Sequence, residues 1–335
     1  MANIAPTVRE PWELARAACP KHMTHGPCAG VTDDGACEIP GAGPCPYVGE
    51  WPFAGSVGFG TRLPKPFVLA DLPAAPLDAD SLRAAAKLLA GSADAFLLGD
   101  HGAERVQFPP SYRARILADE GVAAWPGLNC RDRNRVALEG ELAACRDAGV
   151  ARVHCVTGDH PALGHRPDAQ AVFDLDSTEL TTLARTLGLR VSVAHAPASP
   201  PHALRLPRLL TKVAAGADVV VIDHCGGPEA VHDAVDALRA AGFEGTVLAC
   251  VPVATDVFSA AVLASFAADR LPPGYLAHLY EAPDPRDAGI AAAVALARQL
   301  LAHPGIDGVN LSGGTRAGHE LAIARDLATI GWELR

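Results

Sequence analysis

Four cysteines stand near the start of the chain, in the stretch CPKHMTHGPCAGVTDDGACEIPGAGPCP. Cys19, Cys28, Cys37 and Cys45 are separated by eight, eight and seven residues. That spacing lacks the CxxC knuckles of a zinc ribbon, yet four thiolates on Gly/Pro-rich loops suit a [4Fe–4S] cluster or a zinc ion. So few large apolar residues occur here that burial alone cannot offset the ordering entropy. A metal held by the four cysteines is the expected staple, with His22 and His25 as candidate replacements for one ligand; four unligated thiols are the alternative.

A second set of reactive groups follows short apolar runs: Asp71, Asp100, Asn129, Asp132, Asp159, Asp223 and His224. Any one of them reads equally well as a helix cap or a turn residue. As a ring they read as a ligand site. In NCRDRNR, Arg131, Arg133 and Arg135 either bind an anion or line a solvated helix face. In TGDHP, Gly158 allows a tight turn and close backbone approach, and Asp159 can accept hydrogen bonds or tune a cofactor. The Gly pair of NLSGGTRAGHE is a candidate anion cradle. Neither GxGxxG after a strand nor GxxxxGK[ST] occurs, which excludes a Rossmann fingerprint and a P-loop.

The elements that must position these residues are regular. Eight apolar or β-branched runs occupy 66–72, 94–100, 123–130, 151–158, 190–196, 218–224, 246–253 and 308–314. Most begin about 28 residues apart, the length of one βα unit. Between them, segments such as RVALEGELAACRDAG carry apolar residues at i, i+3 and i+4 and stop at Gly. This pattern predicts an α/β fold, a (β/α)8 TIM barrel over 61–335, with a cysteine-rich metal-binding extension over 1–60. A doubly wound open sheet is the alternative. In a barrel, the ring of polar residues falls at the C-terminal strand ends, where such folds do their chemistry. The long gap between the seventh and eighth strands predicts an extra helix or a lid.

The 335 residues are 49% hydrophobic with a formal net charge of -10 and no basic run, which argues against nucleic acid as a partner. No stretch is apolar enough to span a membrane and none reads as a secretory signal, so a cytoplasmic protein is expected. Its nine cysteines then read as thiols or ligands rather than disulfides, with Cys130, Cys145, Cys155, Cys225 and Cys250 in apolar runs.

The segment LNCRDRNRVALEGELAACRDAGVARVHCVTGDHP, with VFDLDSTEL and LLTKVAAGADVVVID, resembles the methylenetetrahydrofolate reductase family across the barrel. The N-terminal cysteine stretch looks like a module fused to, or partnering, some of its members. The resemblance implies FAD at the strand ends and reduction of 5,10-methylenetetrahydrofolate to 5-methyltetrahydrofolate. It implies that Asp159 lies beside the flavin pyrimidine and that Lys212, ahead of Ala217 in KVAAGA, contacts phosphate. Phe173 would touch FAD, and Arg316 would help hold folate or reductant. With Asn129, Arg131, Asp132, Thr157 and Gly158, these form the expected cofactor site; Asp71, Asp159 and Asp223 are the expected catalytic groups. Three positions depart from the family. Asp71 stands where a catalytic Glu protonates the pterin, Ile222-Asp223 replaces Thr-Gln, and Gly127 replaces a frequent His. The implied partners are tetrahydrofolate and either NAD(P)H or a protein electron donor, in a homo-oligomer.

The altered pocket leaves a folate-dependent one-carbon transferase or demethylase as the second reading. A metal-dependent hydrolase using Asp100, Asp223 and His224, and a non-catalytic electron-transfer subunit, complete the alternatives.

Overall fold

The computed structural model describes residues 11–48, 62–99, 106–163, 166–267, 270–314 and 317–335. Asp100 and Arg316 lie outside them.

Eight parallel strands close into a barrel in chain order. They are β1 (Phe67–Asp71), β2 (Ala95–Leu98), β3 (Ala124–Asn129), β4 (Arg152–Val156), β5 (Arg190–His195), β6 (Val219–Ile222), β7 (Thr246–Val253) and β8 (Gly308–Gly313). Each falls within one of the eight runs. Closure is made by β1 on β8, with Phe67 opposite Gly308. A side chain at Gly308 would collide with the Phe67 carbonyl, so glycine permits the last pairing.

Successive side chains alternate between the lumen and the helix layer. Phe67, Leu69, Ala95, Trp125, Val219, Val221 and Leu248 fill the lumen floor, where the Phe67 and Trp125 rings stack at 5.3 Å. Val68, Ala70, Val153, Val191, Val193, Val220 and Val247 face outward into the main core.

The helices meeting that core are α2 (Ala79–Leu89), α3 (Pro110–Asp119), α4 (Arg135–Asp147), α5 (Ser177–Thr186), α6 (Arg205–Ala214) and α7 (Pro228–Ala240), with α10 (Pro285–Leu301) and α11 (Glu320–Glu333) completing the ring. Asp78, Asn134, Asp176 and Asp284 cap four of them by accepting first-turn N–H groups. The cap at α5 is a full capping box with Glu179. The long connection before β8 holds two extra helices, α8 (Val257–Ala267) and α9 (Ala277–Glu281), with an apolar cluster of their own. Tyr275 anchors it by donating to the Pro252 carbonyl at 2.5 Å. No helix among the described residues is long and apolar enough to cross a membrane.

The cysteine-rich stretch begins with α1 (Pro11–Ala18) and continues as turns tied by the bridges Val31–Cys37 and Ala36–Pro44. It packs on the barrel at the α5 cap. Thr24 N–H donates to Asp176 at 3.2 Å, His25 lies 3.5 Å from the same carboxylate, and Arg16 donates to the Asp174 carbonyl at 3.2 Å.

Candidate active site at the barrel mouth

A cavity of about 680 Å³ lies at the C-terminal strand ends, the size class of cofactor sites. One wall is the turn after β4. Gly158 has φ +90°, and a Cβ there would stand 3.0 Å from that of Asn129. Glycine therefore lets Thr157–Asp159 fold back against the end of β3. Asn129 Oδ1 accepts from Arg131 N–H at 3.0 Å, and Thr157 Oγ1 accepts from Ser177 N–H at 3.2 Å. Asn129, Arg131, Thr157, Gly158 and Asp159 all line the cavity.

The opposite wall is one face of α6. Arg205, Arg208 and Lys212 recur at i, i+3 and i+7 and line the cavity together. Arg208 donates to Asp176 at 3.1 Å, and Arg205 to the Ser199 carbonyl at 2.8 Å. Lys212 Nζ donates to the Ala194 carbonyl at 2.9 Å, and burial pulls its ammonium down to about 7. Burial also holds His195 down to about 3 and His154 to about 4, so both imidazoles are neutral. His154 Nδ1 meets Ser192 Oγ at 3.0 Å.

Below the mouth, Asp71 ends β1 in the lumen and accepts from Asn310 Nδ2 at 3.2 Å. Ser312 and the Gly313 N–H also bond to it. Burial pushes its carboxyl up to about 6, and nearby Asp223 adds to the rise. Asp223 lines the cavity; Asp71 does not. Asn310 is 2% exposed and its Oδ1 has no hydrogen-bond partner, an acceptor left open in the lumen. His224 does not line this cavity and opens instead on a small cleft with Cys225.

The roof comes from the N-terminal stretch. Lys21, Met23, Pro27, Cys28, Ala29, Gly30 and Glu38 face the same space as the barrel residues. Arg205 ties the roof down by donating to the Pro27 carbonyl at 3.4 Å. Cys19 packs with Ala15, Met23 and Tyr47, and Cys28 and Cys45 lie against that cluster. All nine cysteines are free thiols. Burial raises the Cys19 thiol and pushes Cys45 up to about 11, and the other module thiols add to both rises. Among the described residues, no group of three or more His, Cys, Asp or Glu side chains stands ready to hold a metal ion. The expected four-cysteine metal centre is therefore not formed as a ligand set, although its members converge.

Not every expected cofactor residue reaches the cavity. Asp132 is an exposed surface residue, paired with Arg131 at 3.1 Å and Arg133 at 2.9 Å. Phe173 is fully buried behind His160, with rings 5.9 Å apart, and holds φ +40° while its N–H donates to Cys130 O. Ala217 follows α6 and precedes β6, which puts it at the far end of the barrel. Lys21, Glu38, His154, His195, Arg205, Arg208 and Arg270 line the cavity without having been singled out. The α6 cations alone had a readable signal, their i, i+3, i+7 spacing.

Sequence comparison finds the profile described as "Methylenetetrahydrofolate reductase" over residues 99–326. A second, "Methylene-tetrahydrofolate reductase C terminal", covers 14–63. No curated protein matches the chain. Among solved structures, the EDTA monooxygenase of Chelativorans sp. BNC1 is 12% identical, covering 80% of this chain and 93% of that one, with a TM-score of 0.49. Tryptophan synthase from M. tuberculosis is 14% identical, covering 81% and 91%, with a TM-score of 0.48. A 2,3-dimethylmalate lyase is 15% identical, covering 77% and 78%, with a TM-score of 0.45. These likenesses are too low to carry an argument. The first profile covers more than half of a chain whose eight strands close into a parallel barrel, and the chain belongs to the methylenetetrahydrofolate reductase family.

Proposed function

We propose that the protein is an FAD-dependent reductase converting 5,10-methylenetetrahydrofolate to 5-methyltetrahydrofolate. The observation that carries this reading is the cavity itself. In a chain of this family, Asn129, Arg131, Thr157, Gly158, Asp159 and Lys212 converge on one space at the barrel mouth. The donor set suits a dinucleotide. Arg131 and Lys212 offer positive charge to phosphate, the Gly158 turn lets backbone approach, and Asp159 can accept from a pyrimidine edge. FAD, when bound, supplies the hydride that the methylene carbon accepts.

The rest is done by this chain's side chains. Asp71 keeps its proton up to about pH 6 and delivers it to the bridging nitrogen, so that the methylene opens to a reducible iminium. Asn310 orients Asp71 and offers its open Oδ1 to a donor on the ligand. Asp223, where the family places Gln, accepts from the pterin. The roof keeps bulk water from the proton donor.

A cytoplasmic setting, NAD(P)H or a carrier protein as reductant and a homo-oligomer belong to the same reading. The module over 1–60 is read as a metal-binding unit on the barrel of 61–335. The packing of Cys19, Cys28 and Cys45 around one cluster supports this, and metal analysis finding neither zinc nor iron would remove it. The test of the function is direct. The purified protein should absorb near 450 nm or take up added FAD, and should convert labelled methylene-folate to 5-methyltetrahydrofolate when reductant is supplied. A colourless protein that binds no FAD sinks the reading, and label transfer without reductant would replace it with a one-carbon transferase.

A further inference from the structure

Two charged side chains in the cavity, Lys21 and Glu38, do not come from the barrel. Lys21 is 4% exposed and lines the cavity together with Asp159. It is ion-paired to Glu38, which lines the same space. The pair is built into the fold. Glu38 N–H donates to the Gly30 carbonyl at 2.9 Å, and any side chain at Gly30 would collide with the Glu38 carboxylate. The residue after Lys21, His22, holds a left-handed backbone at φ +45°, a costly turn for a non-glycine residue. Nothing in the module's packing needs a cation there, because its apolar cluster is Ala15, Cys19, Met23 and Tyr47. A buried lysine with a carboxylate partner, facing a cavity rather than a core, has a ligand to meet.

We propose that Lys21 is a ligand-contacting residue supplied by the N-terminal module: held by Glu38, its ammonium faces Asp159 across the cavity and balances negative charge on the ligand seated between them. The inference rests on the flavin reading above and adds to it a residue from outside the barrel. FAD takes up two electrons and one proton to reach its anionic reduced form, so one negative charge is gained. A cation at Lys21 favours that form, and the Asp159 carboxylate opposes it.

The test uses the full chain as wild type, Lys21→Met, Lys21→Arg, Glu38→Gln and Asp159→Asn. Each is titrated with FAD by fluorescence quenching, and the potential of the bound flavin is measured against reference dyes. Lys21→Met should lower the ratio of reduced to oxidised FAD affinity about tenfold, a fall of about 30 mV for a two-electron couple. Asp159→Asn should move it the opposite way. Lys21→Arg should stay near wild type, and Glu38→Gln, which removes a carboxylate from the same cavity, should move it with Asp159→Asn. Lys21→Met with wild-type FAD affinity and potential overturns the proposal. If Lys21→Met fails to fold, Lys21→Gln decides by the same measurement. If the wild-type chain binds no FAD, the flavin reading falls by itself. Lys21 is then judged by titration with 5-methyltetrahydrofolate, where a loss of fivefold or more in Lys21→Met upholds its role and an unchanged affinity ends it.

Discussion

Two sets of buried charge in this barrel are held in opposite ways. At the N-terminal end Asp218 and Asp307 each have a cation. Asp218 sits between Arg152 at 3.0 Å and Arg190 at 2.9 Å, and Arg152 lies over the Trp125 ring at 4.9 Å. Asp307 accepts from Arg239 at 2.8 Å and from Val247 N–H at 3.0 Å. At the mouth, Asp71 is held by Asn310, Ser312 and a backbone N–H, all neutral. Lys212 is held by a carbonyl and His154 by a hydroxyl. Burial alone does not separate Asp71, Lys212 and His154 from Asp218 and Asp307; pairing does, and at the mouth Asp176 with Arg208 and Lys21 with Glu38 join the paired set. Paired charges fix strands in register, and charges with neutral partners slide toward neutral pH, where they can exchange protons.

That contrast can be broken at either end. The largest effect is expected from Asp71→Asn, which removes the proton donor. Turnover should fall about 100- to 10,000-fold while FAD affinity holds, as steady-state kinetics and titration would show. Next, Asp218→Ala strands the buried Arg152 and should cost about 3–5 kcal/mol in urea unfolding, with activity per folded molecule little changed. A stability loss at Asp71 as large as that at Asp218 would erase the distinction.

The same Asp71→Asn variant should be more stable than wild type above pH 6, by about 1–3 kcal/mol. The sign follows from a folded pKa raised to about 6, above the ordinary carboxylate value. The ionised side chain is penalised in the fold, so the penalty is absent below the ordinary carboxylate range and complete above about 6. For the same reason kcat/KM should decline as pH rises through about 6, and a profile flat from pH 5 to 8 would remove Asp71 as the donor. The smallest effect is Gly158→Ala, costing about 1–3 kcal/mol in backbone strain and weakening FAD binding, read from Tm and titration.

The eight strands were legible because each is an apolar or β-branched run bounded by turn residues, most of them about one βα unit apart, and the closed barrel confirms them. TGDHP was legible because it follows a strand, where a barrel does its chemistry, and lies in the segment that carries the family resemblance. The α6 face was legible in principle, but a stripe of Arg205, Arg208 and Lys212 reads as a solvated surface until tertiary structure turns it inward. Ala217 misled by adjacency. The long Lys212 side chain runs back toward the start of α6 and so reaches the mouth, as helical side chains do. Ala217, five residues on, has already passed to the opposite end of the strands. The roof had no signal at all. Lys21 and Asp159 share a cavity across a separation that no local periodicity encodes.

The attachment of Thr24 to Asp176 spans 152 positions of chain. The segment that seals the cavity therefore precedes in the polypeptide the surface it must grip, and it has little apolar area to hold itself together meanwhile. Contacts so distant in sequence form late, after the loop between them has been organised. The sealing segment must wait, unfastened, because the first four strands all precede the surface on which it lands.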